Sequence, residues 1–465
     1  MFSLQSNYFI LVYGFLCILL LTIVLEYSIK KKKIKHNTGR KILHFGAILI
    51  CAYTIQTTHF RSLLSYIFLF SSIALFIVVK KKWLSVQTNN SYGIALFPLA
   101  FFVLLQLHFL STKEIVFAVT TLAVSDALAS IIGEYFGKQK IVFLFEEKTW
   151  FGAFVFYITT LILAAYFFHE QNFSIIFYAL AAIIPTCSEL FSYKGSDNFT
   201  IPIFSAIWLH LINSIEPSQL NVLALELLVI IVAAALTVYK RWLTNTGATA
   251  AVCLGTFIIA TNQLAYFVTP LTFFALGSIL TKITSKQKKQ QGRNAIQVFA
   301  NGIIGIICLL IYQLSNETAF LYAFIASFTI SMADTISSEI GNFFKGKTID
   351  ILTLKPIEKG LSGGISWQGT MAALLASICI VYITQLFIHL PVTIALSLIL
   401  CGWIGMFVDS LLGSLLQVKY IYNNQVTETC YENAVIKSGF AWCDNNVVNI
   451  LSNLITTVAF LILNL

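Results

Sequence analysis

Two aspartates sit inside otherwise apolar stretches of this chain: Asp126 in LAVSDALASIIGEYFGK and Asp334 in SMADTISSEIGNFF. A carboxylate placed in a bilayer costs at least about 2.5–3.5 kcal/mol, so such residues usually have a functional reason. Asp126, Ser130, Gly133 and Gly137 recur at i, i+4, i+7 and i+11, which is one helix face. Asp334, Ser338 and Gly341 repeat the arrangement. Glycines let a backbone or a ligand approach closely. An acid, then glycines, then lysines suits a metal-bound polyphosphate. The carboxylate would hold Mg²⁺, while Lys138, Lys140 and Lys148 would neutralise phosphate oxygens. The plainer reading is that Asp126 pairs with a base and the glycines serve helix packing. The repetition of the pattern weighs against it.

Two further matches follow in the same order. Glu147-Lys148-Thr149 with Gly152 aligns with Glu358-Lys359-Gly360 with Gly363, and Asp197-Asn198 aligns with Asp444-Asn445. The chain therefore reads as two related halves in tandem, joined near Lys240-Arg241, with about eight helices each. Other polar residues interrupt apolar segments. Lys41 and His44 open one helix beside Arg40, where the basic pair could equally be an interfacial anchor. Glu189 and Asp197 flank a tight turn and could bind a metal or accept a proton from an attacking hydroxyl. Arg293-Asn294, Gln297 and Asn301 form one stripe, Asp409, Gly413 and Gln417 another, and Asn445, Asn446 and Asn449 begin the last helix. Polar stripes on three apolar helices need a shared polar interior.

The elements that must carry these residues are transmembrane helices. Of the 465 residues 58% are hydrophobic and only 11% charged, too few charges to wet a soluble surface. Sixteen apolar segments are long enough to span, at approximately 7–29, 41–58, 61–79, 92–110, 114–137, 150–168, 173–192, 199–214, 220–239, 247–262, 264–281, 295–313, 317–341, 363–387, 391–416 and 446–465. The first lacks a cleavage site and reads as a retained helix. With the amino terminus outside, 27 of the 29 basic residues fall in loops on one side, leaving Arg61 and Lys113 on the other. That division predicts that the basic face is cytoplasmic and that both termini lie outside. It also explains the net charge of +9 without a nucleic-acid partner. The nine cysteines show no CxxC spacing, so neither zinc nor a disulfide framework is expected.

These motifs resemble two families. The first half is similar to the dolichol kinase/phytol kinase group of CTP-dependent prenyl-alcohol kinases, through RKILH at 40–44, DALASIIGEYFGK at 126–138, EKTWFG at 147–152, Glu189 and DNFTIP at 197–202. Unlike some of that group, Gly137-Lys138-Gln139-Lys140 lacks a longer phosphate-loop run. The second half resembles the DUF92 family, which includes the transmembrane protein 19 group and the plant phytyl-phosphate kinase. Its matching pieces are GRNAIQVFANG at 292–302, ADTISSEIG at 333–341, GLSGGISWQG at 360–369, DSLLGSLLQ at 409–417 and DNNVVN at 444–449.

The resemblance implies an all-α polytopic membrane protein, with a prenyl-alcohol kinase domain over 1–239 and a DUF92 domain over 240–465. The first would phosphorylate phytol, farnesol or geranylgeraniol with CTP, and the second would make the diphosphate, in isoprenoid salvage for quinone-type lipids. The expected setting is the cytoplasmic membrane of a bacterium, with Mg²⁺, nucleotide and prenyl lipid as partners. The expected catalytic residues are Asp126, Lys148, Glu189, Asp197, Asp334, Lys359, Asp409 and Asp444, with the five aspartates as metal ligands. Lys41, His44, Ser130, Gly133, Lys138, Lys140, Asn198, Arg293, Asn294, Ser338, Gly341, Gly363 and Asn445 would bind nucleotide or phosphate. Asp126→Asn and Lys148→Ala are expected to remove activity while sparing the fold. Two other classes fit part of the pattern: a cytidylyltransferase that activates a lipid phosphate with CTP, and a secondary transporter. A transporter should carry polar residues toward both faces, whereas here they gather near one.

Overall fold

The computed structural model describes residues 2–34, 36–57, 61–81, 91–137, 140–143, 146–284, 292–344, 346–423 and 425–464. Among the described residues, eleven helices are long and apolar enough to cross a membrane, and four shorter apolar helices accompany them. Each of the sixteen expected spans corresponds to one helix or to two helices in series. The chain separates into two compact units, Met1–Leu225 and Glu226–Leu465.

The first unit begins with α1 (Phe2–Lys30), α2 (His36–Thr57), α3 (Arg61–Lys80) and α4 (Gly93–Gln106). Arg61, one of the two bases away from the basic face, donates to the carbonyls of Leu104, Leu105, Leu107 and Leu110. It thereby satisfies the orphan acceptors at the end of α4. The next span is broken: α5 (Thr112–Thr121) runs through a π-turn at Leu122–Asp126 into α6 (Ala127–Phe136). The extra residue per turn falls on the segment that ends at Asp126. A hairpin of β1 (Lys140–Phe143) and β2 (Glu146–Thr149) leads to α7 (Trp150–Phe168). Then come α8 (Ile175–Ala181), α9 (Ile183–Leu190) and α10 (Asp197–Asn213). Phe101, Phe117, Phe156 and Trp208 are fully buried, and the Trp208 indole donates to the Leu180 carbonyl at 2.7 Å.

The second unit contains most of α11 (Leu220–Tyr239), followed by α12 (Asn245–Ile259), α13 (Val268–Thr284), α14 (Ala295–Ser315) and α15 (Thr318–Phe343). Strands β3 (Ile349–Asp350) and β4 (Gly364–Ile365) pair antiparallel ahead of α16 (Trp367–Gln385) and α17 (Val392–Leu415). A three-stranded sheet of β5 (Lys419–Tyr422), β6 (Gln425–Thr427) and β7 (Val435–Ser438), with β5 central, precedes α18 (Asn445–Asn464). Helix α15 is the post of this unit, buried without interruption from Ala323 to Ala333. Helix α17 meets it through glycines. A Cβ on Gly402 would lie 2.6 Å from Thr329 Cγ2, and one on Gly405 would lie 2.7 Å from Ile330 Cγ2. Small residues permit this approach where water supplies no driving force.

The structure sharpens the repeat and moves its boundary. The compact units divide inside α11, whereas the sequence suggested a division at 239/240. With α11 opening the second set, each half has eight spans in the same order: α1 matches α11, α2 matches α12, and so on to α10 and α18. Helices α5–α6 match α15, and α8–α9 match α17. The match of Gly152 to Gly363 is corrected. Thr149 Oγ1 accepts from Gly152 N at the start of α7, and Ser366 Oγ accepts from Gly369 N at the start of α16. Thr149-Trp150-Phe151-Gly152 therefore corresponds to Ser366-Trp367-Gln368-Gly369. Gly363 lies instead in a turn with φ +88°, against Ser414.

Candidate functional site

In the first unit the chemistry gathers on Lys148. It leaves the end of β2 and donates to Glu189 Oε1 at 2.8 Å and to Ser192 Oγ at 3.0 Å. The side chains of Lys148 and Glu189 are only 17% and 10% exposed. Burial disfavours the ammonium, but Glu189, with Asp197 and Asp126 beyond it, holds the Lys148 pKa above its ordinary value. Glu189 pairs with this cation directly, and Asp197 and Asp126, far apart in sequence, act on it only through their charge. The turn that carries Asp197 is fixed by packing. Gly195 has φ +85°, and a Cβ there would lie 2.5 Å from Ser91 Oγ. Asn198 lays its amide on Gly93 at the start of α4.

The other expected binders in this unit take different positions. Lys41 reaches across to Glu134 of α6 at 3.3 Å. His44 faces the Phe97 ring, with centroids 6.2 Å apart. Lys140 is exposed and pairs with Glu147 at 2.9 Å across the β-hairpin. Ser130 is half-buried on α6, one turn beyond Asp126. Gly133 is a packing residue, since a Cβ would lie 3.2 Å from Gly152 Cα. Lys138 lies outside the described residues.

The second unit holds a cavity of about 710 Å³. Asp334, Ser338 and Gly341 of α15 line it, with Asp409 of α17, Asn445 and Asn449 of α18, Arg293, and the turn Gly360–Gly364. Asp334 and Asp409 are near neighbours in this lining, and Ser452 Oγ donates to Asp409 Oδ1 at 2.8 Å. Two neighbouring carboxyl groups suit a cation placed between them. Among the described residues no three His, Cys, Asp or Glu side chains converge on one point. A carboxylate pair with phosphate and water completing the shell nevertheless fits Mg²⁺, which seldom has an all-protein cage. Burial lowers the pKa of Arg293, partly offset by Glu339.

Three expected residues of this unit have other work. Asn294 caps α14 in a reciprocal pair with Gln297. Asp444 accepts from Val447 N at the start of α18, and its neighbour Asn445 is the one that lines the cavity. Lys359 donates to the Phe344 carbonyl from an exposed position.

Residues 228–457 match the family described as integral membrane protein DUF92. An uncharacterized membrane protein of Methanocaldococcus jannaschii is 30% identical over 212 residues, 44% of this chain and 87% of that protein. The chain belongs to the DUF92 family. The chloroplast protein VTE6 of Arabidopsis thaliana is 28% identical over 255 residues, 52% of this chain and 71% of that protein. Protein PGR of the same plant is 29% identical over 222 residues, 40% of this chain and 77% of that protein. No solved structure matches.

The DUF92 half also contains cavity-lining contacts that the sequence does not signal. The peptides of Ser362, in the glycine-rich turn, are held from both sides. Its N–H donates to Glu428, and its carbonyl accepts from Lys419 Nζ at 2.8 Å. Gln417 Nε2 donates to the other Glu428 oxygen at 2.8 Å. Glu428 follows β6, so the three-stranded sheet braces the turn. No sequence signal links Glu428 to Ser362, because only the return of the chain through β5 and β6 joins them. A signal did exist for α12. Asn245-Thr246-Gly247 repeats Asn37-Thr38-Gly39 of α2, at the same place in each half.

Proposed function

We propose that the DUF92 half is a prenyl-phosphate kinase and that the first half is a CTP-dependent prenyl-alcohol kinase supplying its substrate. The observation that carries this is the single cavity joining the Asp334–Asp409 pair, Arg293 and a glycine-rich turn at the end of apolar helices. An apolar tail between helices, with its polar head beside acids and a guanidinium, is the geometry a lipid phosphate acceptor requires. Resemblance to the family that includes the plant phytyl-phosphate kinase supports the same assignment.

In the second reaction a phosphate oxygen of the prenyl monophosphate bonds to the γ-phosphorus of a nucleotide, and the β–γ bridging bond breaks. The products are prenyl diphosphate and nucleoside diphosphate. Asp334 and Asp409 would hold Mg²⁺, which supplies charge neutralisation for the polyphosphate. Arg293 would bind phosphate oxygens and Asn445 and Asn449 would orient them, from the basic, cytoplasmic face. In the first unit Lys148 holds Glu189, and Asp126 and Asp197 add negative charge there, where they would take a metal or the alcohol proton.

The test uses the full chain in lipid nanodiscs with farnesol or farnesyl monophosphate and CTP or ATP. Label from the γ-phosphate should enter the lipid. Entry of the α-phosphate with cytidine would make the protein a cytidylyltransferase, and no entry of label from either position would defeat the kinase assignment.

A further inference from the structure

Arg293 lines the polar cavity of the second unit, yet its guanidinium has no ion pair and no hydrogen bond among the described residues. Burying a charge without a partner is costly. The protein nevertheless positions this residue through its backbone and one side of its head group. The segment around Arg293 runs parallel to Trp242–Thr244, with Arg293 N donating to the Trp242 carbonyl at 2.9 Å and Thr244 N donating to the Arg293 carbonyl at 3.0 Å. Gly247 of α12 makes room for that backbone, because a Cβ would lie 2.1 Å from the Arg293 carbonyl oxygen. Gly277 of α13 makes room for the head group, because a Cβ would lie 2.9 Å from Nη2. The Phe273 ring supports the guanidinium at 5.4 Å. Glu339 attracts the charge without forming a contact pair.

We propose that Arg293 is a phosphate-recognition residue that binds a phosphoryl dianion entering the cavity, and that Gly247 and Gly277 are its positioning residues. The inference rests on the kinase assignment for its substrate, but not for its chemistry. A planar fork of N–H donors, held rigid before the ligand arrives, suits two oxygens of one phosphate group. It also supplies the missing counter-charge. The dianion could belong to the lipid monophosphate or to the nucleotide, and these two sources are separable by experiment.

The full chain in nanodiscs would be melted with and without farnesyl monophosphate, and separately with nucleotide. KM for each would be measured where turnover is seen. Arg293→Gln should weaken one of the two phosphates roughly 10- to 100-fold. The affected arm identifies the source. Arg293→Lys keeps the charge and loses the fork, so it should fall between wild type and Arg293→Gln. Gly277→Ala should weaken the same ligand with kcat changing less than KM. Equal binding of both phosphates by wild type and Arg293→Gln would overturn the inference and leave the kinase assignment standing. Arg293-dependent binding with no phosphoryl transfer would support the inference while refuting that assignment. Failure of wild type to bind either phosphate would overturn both.

Discussion

The Lys148–Glu189 pair allows a quantitative test. Removing the ammonium by Lys148→Met keeps an aliphatic stem and leaves a carboxylate, 10% exposed, without its 2.8 Å partner. Breaking a buried pair from one side costs about 3–5 kcal/mol. For a unit of this size each kcal/mol corresponds to roughly 2–4 °C in Tm, so the loss should be roughly 6–20 °C. Sequence alone suggested that Lys148→Ala would spare the fold; the burial of the pair makes a folding loss the expected result. Removing both charges in Lys148→Met/Glu189→Leu should recover much of the loss, with a coupling of about 2 kcal/mol or more. The assay is melting in detergent, followed by the reaction of buried thiols such as Cys51 and Cys187 with a fluorogenic maleimide. The pH dependence has a defined sign. A raised folded pKa means that the stabilisation is fully present below the unfolded value near ~10.4 and is lost as pH rises through the folded one. A Tm for Lys148→Met within a degree or two of wild type would show that the pair carries no net stability.

Asp350 should matter to the fold around the cavity: it accepts from Ser414 Oγ at 2.6 Å and from Thr353 N at 2.8 Å. Burial raises its pKa, but these donors outweigh it and hold the carboxyl below its usual range. The stabilisation is therefore present above the unfolded value near ~3.9 and is lost as pH falls through the folded one. Asp350→Ala should cost about 1–3 kcal/mol in detergent melts. Gly402→Val should destabilise by about 1–3 kcal/mol or more where α17 packs on α15 and α16, since a Cβ would lie 2.6 Å from Thr329 Cγ2 and 2.5 Å from Ser377 Oγ. Product analysis by mass spectrometry should find that Asp126→Asn stops at the free alcohol and Asp334→Asn accumulates the monophosphate; mixing the two variants should restore the diphosphate. A cysteine placed at Lys282 should resist an impermeant thiol reagent in intact cells, and rapid labelling would reverse the assigned topology.

Sequence exposed what depends on local composition. The apolar runs marked all sixteen spans because length and hydropathy are local quantities. The Asp126 and Asp334 segments were visible as a repeat because their spacing survives in both halves. Where a residue serves its neighbour in space, sequence was a poorer guide. Gly133 read as a ligand surface and is the seat of Gly152 across α6 and α7. Asp444 read as a metal ligand and caps a helix, a role that its position before an Asn-rich helix start also predicts. The partnership of Asp334 with Asp409, and the hold of Glu428 on Ser362, arise from chain returns that no periodicity encodes.

The central position of α15 also bears on how the protein is made. It has the largest buried share of the eleven candidate spans and carries Asp334 nine residues before its end. Its polar neighbours on α17 and α18 do not yet exist when it leaves the ribosome. Asp409 follows Asp334 by about 75 residues, roughly 4–15 s at ordinary synthesis rates. Released alone into lipid during that interval, α15 would expose the carboxyl group at a cost of about 2.5–3.5 kcal/mol. Until α16 and α17 follow, only the helices already made, α14 among them, can cover that carboxyl group.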